Sequence, residues 1–205
     1  EIDAALVSAE LSLRHMLKSY GDFTLASREG TASLVGQIEV LALAMVSPGQ
    51  PLNAEQKEIL VLAEQFVERQ LDKLRQQGLG FASPQGVRAF FLSQLFERLR
   101  QEVSTSKKER FERRASGAYF TPILLSYYLV KTAFSSVQSR GQNFRILDFC
   151  AGSGCLSIAA LDYLSSSSSS LEFDRLSLLR KHIFAVEIDP LILRAYFACL
   201  AVATS

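Results

Sequence analysis

Apolar residues recur at intervals of three and four through the first half of the chain, the spacing that gathers them on one face of a helix. Leu6, Val7, Leu11, Leu17 and Tyr20 mark a first helix ahead of Gly21-Asp22, and Leu34, Val35, Ile38, Leu41, Ala42 and Met45 a second that ends near Ser47-Pro48-Gly49. Asn53 with Gln56 three positions later predicts a capping box at the start of a third helix. Its stripe runs through Ile59, Leu62, Ala63, Phe66, Val67, Leu71 and Leu74 until Gly78 or Gly80 ends it. Ser83-Pro84 opens a fourth, with Val87, Phe91, Leu95, Phe96 and Leu99 on one face. No alternating β pattern interrupts this region. Residues 1–103 therefore read as a helical domain, whose four helices most simply pack on one another as a bundle.

The pattern changes at residue 146. Ile146 and Leu147 begin a short apolar strand that ends in Asp148, the small-residue turn Ala151-Gly152-Ser153-Gly154 follows, and a helix starts at once. Such a turn leaves little side chain between a ligand and the backbone, and a helix start offers unpaired N–H groups with a partial positive charge. This is the shape of a nucleotide-type cofactor site. A glycine turn alone is a weak signal, since many strand-to-helix connections need glycine only for positive φ. A second apolar run, Ile183, Phe184, Ala185 and Val186, ends in Glu187 and repeats the order of strand, then acid. Asp189 and Pro190 suit the N-cap and first position of a following helix. In doubly wound sheets ligands bind outside the carboxyl ends of the strands, where an acid ending the second strand can accept hydrogen bonds from both ribose hydroxyls. The plain alternative is an acid that caps or solvates a strand end. Glu187 follows Asp148 at nearly twice the ~20 positions that a dinucleotide fingerprint expects. An insertion accounts for the excess. Ser165–Ser170 mark it as a polar, low-complexity surface loop, and residues 171–181, with Leu176, Leu178 and Leu179, predict a short helix before the second strand.

Composition narrows the classes. With 205 residues and 48% hydrophobic content the chain can bury a real core as one large or two small domains. No apolar stretch reaches the ~18 residues that a spanning helix needs, and no signal peptide stands at the start. A soluble protein without a membrane partner is expected. Lys and Arg total 22 against 21 Asp and Glu, so any DNA-facing surface must be local. The three cysteines, Cys150, Cys155 and Cys199, have neither ligand spacing nor an even count. They are expected to be buried, reduced thiols of a cytoplasmic protein. His15 and His182 have no ligand-spaced partner, which speaks against a metal site and against a serine–histidine–acid arrangement.

Three segments together are more specific than any one. Gly117-Ala118-Tyr119-Phe120-Thr121-Pro122 resembles the Gly-x-(Phe/Tyr)-(Phe/Tyr)-Thr-Pro segment of amino-directed DNA adenine methyltransferases, especially those of combined restriction–modification enzymes. DFCAGSGCL is similar to their Asp-Pro-Ala-Cys-Gly-Ser-Gly-x-(Phe/Leu) motif, and AVEIDPLILRAYFACLAVA to their Gly-Val-(Asp/Glu)-(Ile/Leu)-Asp-Pro segment and its helix. The order agrees, and the likeness covers about residues 113–205. It implies an α + α/β fold, an N-terminal helical bundle followed by a partial Rossmann-like domain over 118–205 that binds S-adenosylmethionine. On this resemblance Thr121 meets the methionine carboxylate and Tyr119, Phe120 and Pro122 close one side of the pocket. Asp148, Ala151, Gly152 and Gly154 line the methionine and sulfonium side, Glu187 holds the ribose hydroxyls, and Ile188 packs on the adenine. Thr121 also has the spacing of a helix N-cap before Pro122.

Two departures matter. Phe149-Cys150-Ala151 stands where the family has Pro-Ala-Cys, an exchange expected to be harmless. The family's (Asn/Asp/Ser)-Pro-Pro-(Tyr/Phe/Trp) motif, which holds the amino group of a flipped adenine, occurs nowhere in the 205 residues. The chain also begins at Glu1 without an initiator Met. The expected role is thus the cofactor-binding portion of a DNA adenine methyltransferase, inactive alone, whose parent acts on double-stranded DNA. A nuclease or specificity domain is expected in the same or a partner chain.

Residues 104–117 form a polar boundary with five basic and two acidic residues from Lys107 to Arg114. Lys107, Lys108, Arg110, Arg113 and Arg114 could meet DNA phosphates, or simply solvate a linker that Phe111 anchors. The helical half names no chemistry. It is similar in position to the connector of combined restriction–modification enzymes, and to the helical domain of glutamine methyltransferases that act on a protein, against which the Tyr-Phe-Thr-Pro segment argues. A helical interaction module with a degenerate Rossmann-like domain that binds no cofactor stands as the alternative. A nicotinamide dehydrogenase is weaker, because Ser157 occupies the place of that fingerprint's third glycine.

Overall fold

The computed structural model describes residues 3–19, 28–102, 121–135, 145–167 and 174–205. Four helices come first: α1 (Ala4–Ser19), α2 (Arg28–Val46), α3 (Ala54–Gln76) and α4 (Pro84–Glu102). Local chemistry sets their ends. The capping box at α3 is complete, with Gln56 N–H donating to Asn53 Oδ1 (2.8 Å) and Asn53 N–H to Gln56 Oε1 (3.0 Å). At its other end Gly78 takes φ +70°, so that Leu79 N–H reaches Leu74 O (2.9 Å) and Gly78 N–H reaches Arg75 O (3.0 Å). That is a Schellman closure, and its apolar pair, Leu74 and Leu79, is buried. Ser83 caps α4 through its hydroxyl, which accepts from Gly86 N–H at 2.9 Å ahead of the helix that Pro84 begins.

The second half runs α5 (Ile123–Ser135), β1 (Ile146–Asp148), α6 (Cys155–Ser167), α7 (Arg175–His182), β2 (Ile183–Ala185) and α8 (Pro190–Thr204). The two strands pair in parallel, Ile146 with Ile183, Leu147 with Phe184 and Asp148 with Ala185. Parallel neighbours require a crossover, which α6 and α7 supply. Pairing carries past the strand ends, where Val186 N–H donates to Asp148 O (2.8 Å) and Ala151 N–H to Val186 O (3.2 Å). Asp174 caps α7 by accepting from Ser177 N–H, and Asp189 caps α8 by accepting from Leu191 N–H with Pro190 at the first position. The serine run is not loop throughout. Ser165 and Ser166 lie in the last turn of α6, their hydroxyls donating back to Leu161 O and Tyr163 O, so the helix extends through Ser167. Ser168–Ser170 lie outside the described residues.

One apolar core runs through both halves. The first four helices pack on one another and also on the second half. α2 packs most extensively against α8 and only slightly against α3, while α4 packs on α1, α2, α3, α6 and α8. The reason is α8, PLILRAYFACLAVAT, which offers the core an almost continuous apolar surface. Arg194 of α8 also makes a two-point ion pair with Glu39 of α2, at 2.9 and 2.6 Å.

A second tie between the halves is polar. Asp162 of α6 is fully buried and accepts from Ser83 N–H (2.8 Å), Ser83 Oγ–H (2.6 Å), the Tyr127 hydroxyl of α5 and the Arg175 guanidinium of α7. Arg175 also donates to Ala203 O in α8. Four elements thus meet at one satisfied carboxylate, as burial of a charge requires, and Arg175 ties it to a fifth, α8. Tyr127 packs against Phe81 and Phe90, and Phe81 also meets the α6 aromatic Tyr163, itself stacked on Phe134.

Candidate functional site

β1 and β2 end side by side, and their carboxyl edge carries Asp148 and Glu187. The chain leaves β1 through Phe149 and Cys150, turns at Ala151-Gly152-Ser153-Gly154 and enters α6. The glycines are needed for two different reasons. Gly152 adopts φ +54°, and Gly154 adopts φ +98° while lying so close to α8 that a Cβ there would stand 3.0 Å from the Tyr196 ring. Gly154 N–H donates to Ala151 O (2.8 Å), and Ile158 N–H to Gly154 O (2.8 Å) as α6 begins.

Glu187 is the acid that links the two strand ends. One carboxylate oxygen accepts from Gly152 N–H and the other from Asp189 N–H, each at 3.0 Å. The Gly152 N–H, expected to be open, therefore already has a partner from its own chain. A carboxylate has about four lone-pair positions, so two remain on Glu187 for outside donors. Asp148 accepts from Cys150 N–H and weakly from Ser157 Oγ at 3.5 Å, and Tyr196 Oη reaches Ser157 Oγ at 3.3 Å. Burial, with the nearby Glu187 charge added, holds the Asp148 carboxyl above its ordinary value of 3.8 despite those hydrogen bonds. Two acids at one glycine turn make a setting that favours a cation.

Around this edge the surface is apolar and open. Ile188, expected to pack on a purine, is 97% exposed, and Phe149 is 71% exposed. Leu147, Phe184 and Val186 are also exposed, with the Arg145 guanidinium 5.6 Å above the Phe184 ring. Ala151 is buried beneath the turn. Of the residues the sequence predicted, Asp148, Ala151, Gly152, Gly154 and Glu187 are brought together, and Ile188 stands beside them. Thr121 is half-buried and Pro122 exposed, directly ahead of α5, which packs on α6. Tyr119, Phe120, Lys107, Lys108, Arg110, Arg113 and Arg114 lie outside the described residues. The expectation of three buried thiols fails at Cys150, which is exposed because it stands in the turn beyond β1. Cys155 and Cys199 are buried, and burial pushes the Cys155 thiol up to about 12.

Sequence reasoning missed the part that α4 plays. Ser93 Oγ shares a buried hydrogen bond with Ser153 Oγ of the turn (2.7 Å) and another with Cys155 Sγ (3.2 Å). Arg100 lies 3.6 Å from Asp189 Oδ2. The available signal was Ser93 itself, a lone small polar residue in the apolar run AFFLSQLF.

No family model, curated protein or solved structure matches this chain. The site must therefore be read from its own chemistry. Among the described residues no group of three or more His, Cys, Asp or Glu is placed to hold a metal ion, and no helix is long and apolar enough to cross a membrane. What the edge offers is an acid with two spare acceptor positions, a second acid partly shielded from water, a turn with little side chain, and an exposed aliphatic residue next to the first acid.

Proposed function

We propose that this chain is the S-adenosylmethionine-binding portion of a DNA adenine methyltransferase of the restriction–modification type. The observation that carries the reading is the hydrogen bond from Gly152 to Glu187, which sets the acid of the second strand against the glycine turn of the first. In that arrangement Glu187 accepts the ribose hydroxyls through its remaining lone pairs, Ile188 lies under the adenine, and Asp148 with the turn faces the sulfonium and methionine end. The donor set suits the ligand's charges, since a sulfonium and an ammonium both gain from nearby carboxylates. Tyr119, Phe120, Thr121 and Pro122 complete the wall on the strength of the family likeness. When bound, the cofactor supplies an activated methyl group. The residues that would hold the target adenine are not among these 205, so the role of this chain is to bind and orient. The parent enzyme acts on double-stranded DNA, with the basic run Lys107, Lys108, Arg110, Arg113 and Arg114 against phosphates and a nuclease or specificity domain alongside. A cytoplasmic home accords with cysteines that form no disulfide.

One observation favours a second reading, a helical interaction module with a degenerate Rossmann-like domain that binds no cofactor. Glu187 already commits both oxygens to backbone N–H groups and so serves as a brace. Calorimetry separates the two. Titration of the 205-residue chain with S-adenosylmethionine is expected to give saturable heat, reduced by Glu187→Ala and not competed by NAD. Folded protein with no heat would leave the brace as the whole role of Glu187.

A further inference from the structure

The parallel pair β1–β2 has one face covered and the other in water. Ile183 is buried, and Ile146, Asp148 and Ala185 are half-buried, toward the side where α6 and α7 meet β2. The residues between them point the other way, as alternation along a strand requires. Leu147 (49% exposed) and Phe184 (41%) stand side by side in the register, and Phe149 (71%) and Val186 (50%) continue the two columns. A parallel sheet is ordinarily covered by helices on both faces. α5 carries a matching surface. Its buried side, Ser126, Tyr127, Val130 and Phe134, faces α6, where Tyr127 meets Asp162 and Phe134 stacks on Tyr163. The opposite side shows Leu124, Leu125, Tyr128 and Leu129, 45–59% exposed, at i, i+1, i+4 and i+5. One copy of the chain thus has a sheet face without a covering helix and, on the far side of α5, a helix face that covers nothing.

We infer that these two surfaces are partners between two copies of this chain, the α5 of each copy lying across the outer β1–β2 face of the other. The two contacts are equal, so a two-fold axis closes the pair. Size argues for a second copy as the occupant. The eight side chains leave roughly 900 Å² in water per copy, and a stable interface buries about 800 Å² per partner. None of the eight carries a charge, so docking strips no ion of its water. Arg145 stays at the rim, its guanidinium over the Phe184 ring. Glu187 and Ile188 lie past the end of β2, so the pairing is independent of the cofactor reading.

Light scattering coupled to size exclusion, run as a concentration series on the 205-residue chain, is expected to approach twice the 22.7 kDa chain mass. Leu147→Lys and Tyr128→Glu replace exposed side chains, so each variant is expected to keep the wild-type circular dichroism and to run as a monomer. An equimolar mixture of the two is expected to pair again, because the intact α5 of the Leu147→Lys copy meets the intact sheet of the Tyr128→Glu copy. Wild-type chain that stays monomeric throughout the series would overturn the inference. So would pairing lost with Leu147→Lys but kept with Tyr128→Glu, the result of sheet meeting sheet, and so would a mixture that does not pair. Masses that grow past two copies would show a contact that does not close, and would overturn the two-fold pair as well.

Discussion

Asp148 and Gly86 show how much single positions carry. A carboxyl whose value is raised in the folded state keeps its proton where the unfolded chain has lost it, so it favours folding at acid pH. That contribution is lost as pH rises from the ordinary value of 3.8 through the raised one. Asp148→Asn is therefore expected to raise the thermal midpoint at pH 7 and to remove the fall in stability that Asp148 contributes as pH rises, while weakening S-adenosylmethionine binding by about tenfold. Midpoints across a pH series with calorimetry check both parts; a residue with only a structural role would not trade affinity for stability. At Gly86 any Cβ would overlap the Asp162 carboxylate, the atom group on which four elements converge. Gly86→Ala is expected to cost about 3–5 kcal/mol in urea unfolding, the scale for disrupting a buried charged cluster. A glycine between Gln85 and Val87 gives no hint of this in sequence, because the clash lies with a residue 76 positions away.

Helix boundaries depend on neighbours in sequence, and they were legible. Asn53 with Gln56, Gly78, Ser83-Pro84 and Asp189-Pro190 all act where their chemistry places them. Asn53→Ala should remove one arm of the α3 capping box and lower stability by about 1 kcal/mol, read from the denaturation midpoint, with Asn53→Ser restoring most of it. Which face a helix buries was less legible. In α4 the predicted stripe Val87, Phe91, Leu95, Phe96 and Leu99 is buried, but so are Ala89, Phe90, Leu92 and Ser93. A helix whose middle, Ala89 to Phe96, is buried on every side has no single preferred partner, so its pattern marks it as central without saying what surrounds it. Ser165 and Ser166 made the opposite error, since a polar run read as loop continues α6 through hydroxyls that bond back to the preceding turn.

Across the whole molecule the two halves share one core, with α2 and α4 set against α8 and Asp162 joined to Ser83. Urea unfolding of the 205-residue chain is expected to give one cooperative transition, coincident by circular dichroism and tyrosine fluorescence. Residues 1–102 expressed alone would expose the α2 and α4 surfaces that α8 covers, and should bind a hydrophobic dye and lose cooperativity. A sharp, dye-free transition in that fragment would show the helical half to be independent. The site divides in the same way. Strand ends, the glycine turn and the acids at Asp148 and Glu187 follow from local patterns, because apolar runs, glycine and N-caps act over a few residues. That Glu187 bonds Gly152 and that Ser93 holds Ser153 depend on contacts between residues 35 and 60 positions apart. Periodicity marks a surface as apolar; which surfaces meet is settled by shape and by the need of each buried charge and hydroxyl for a partner.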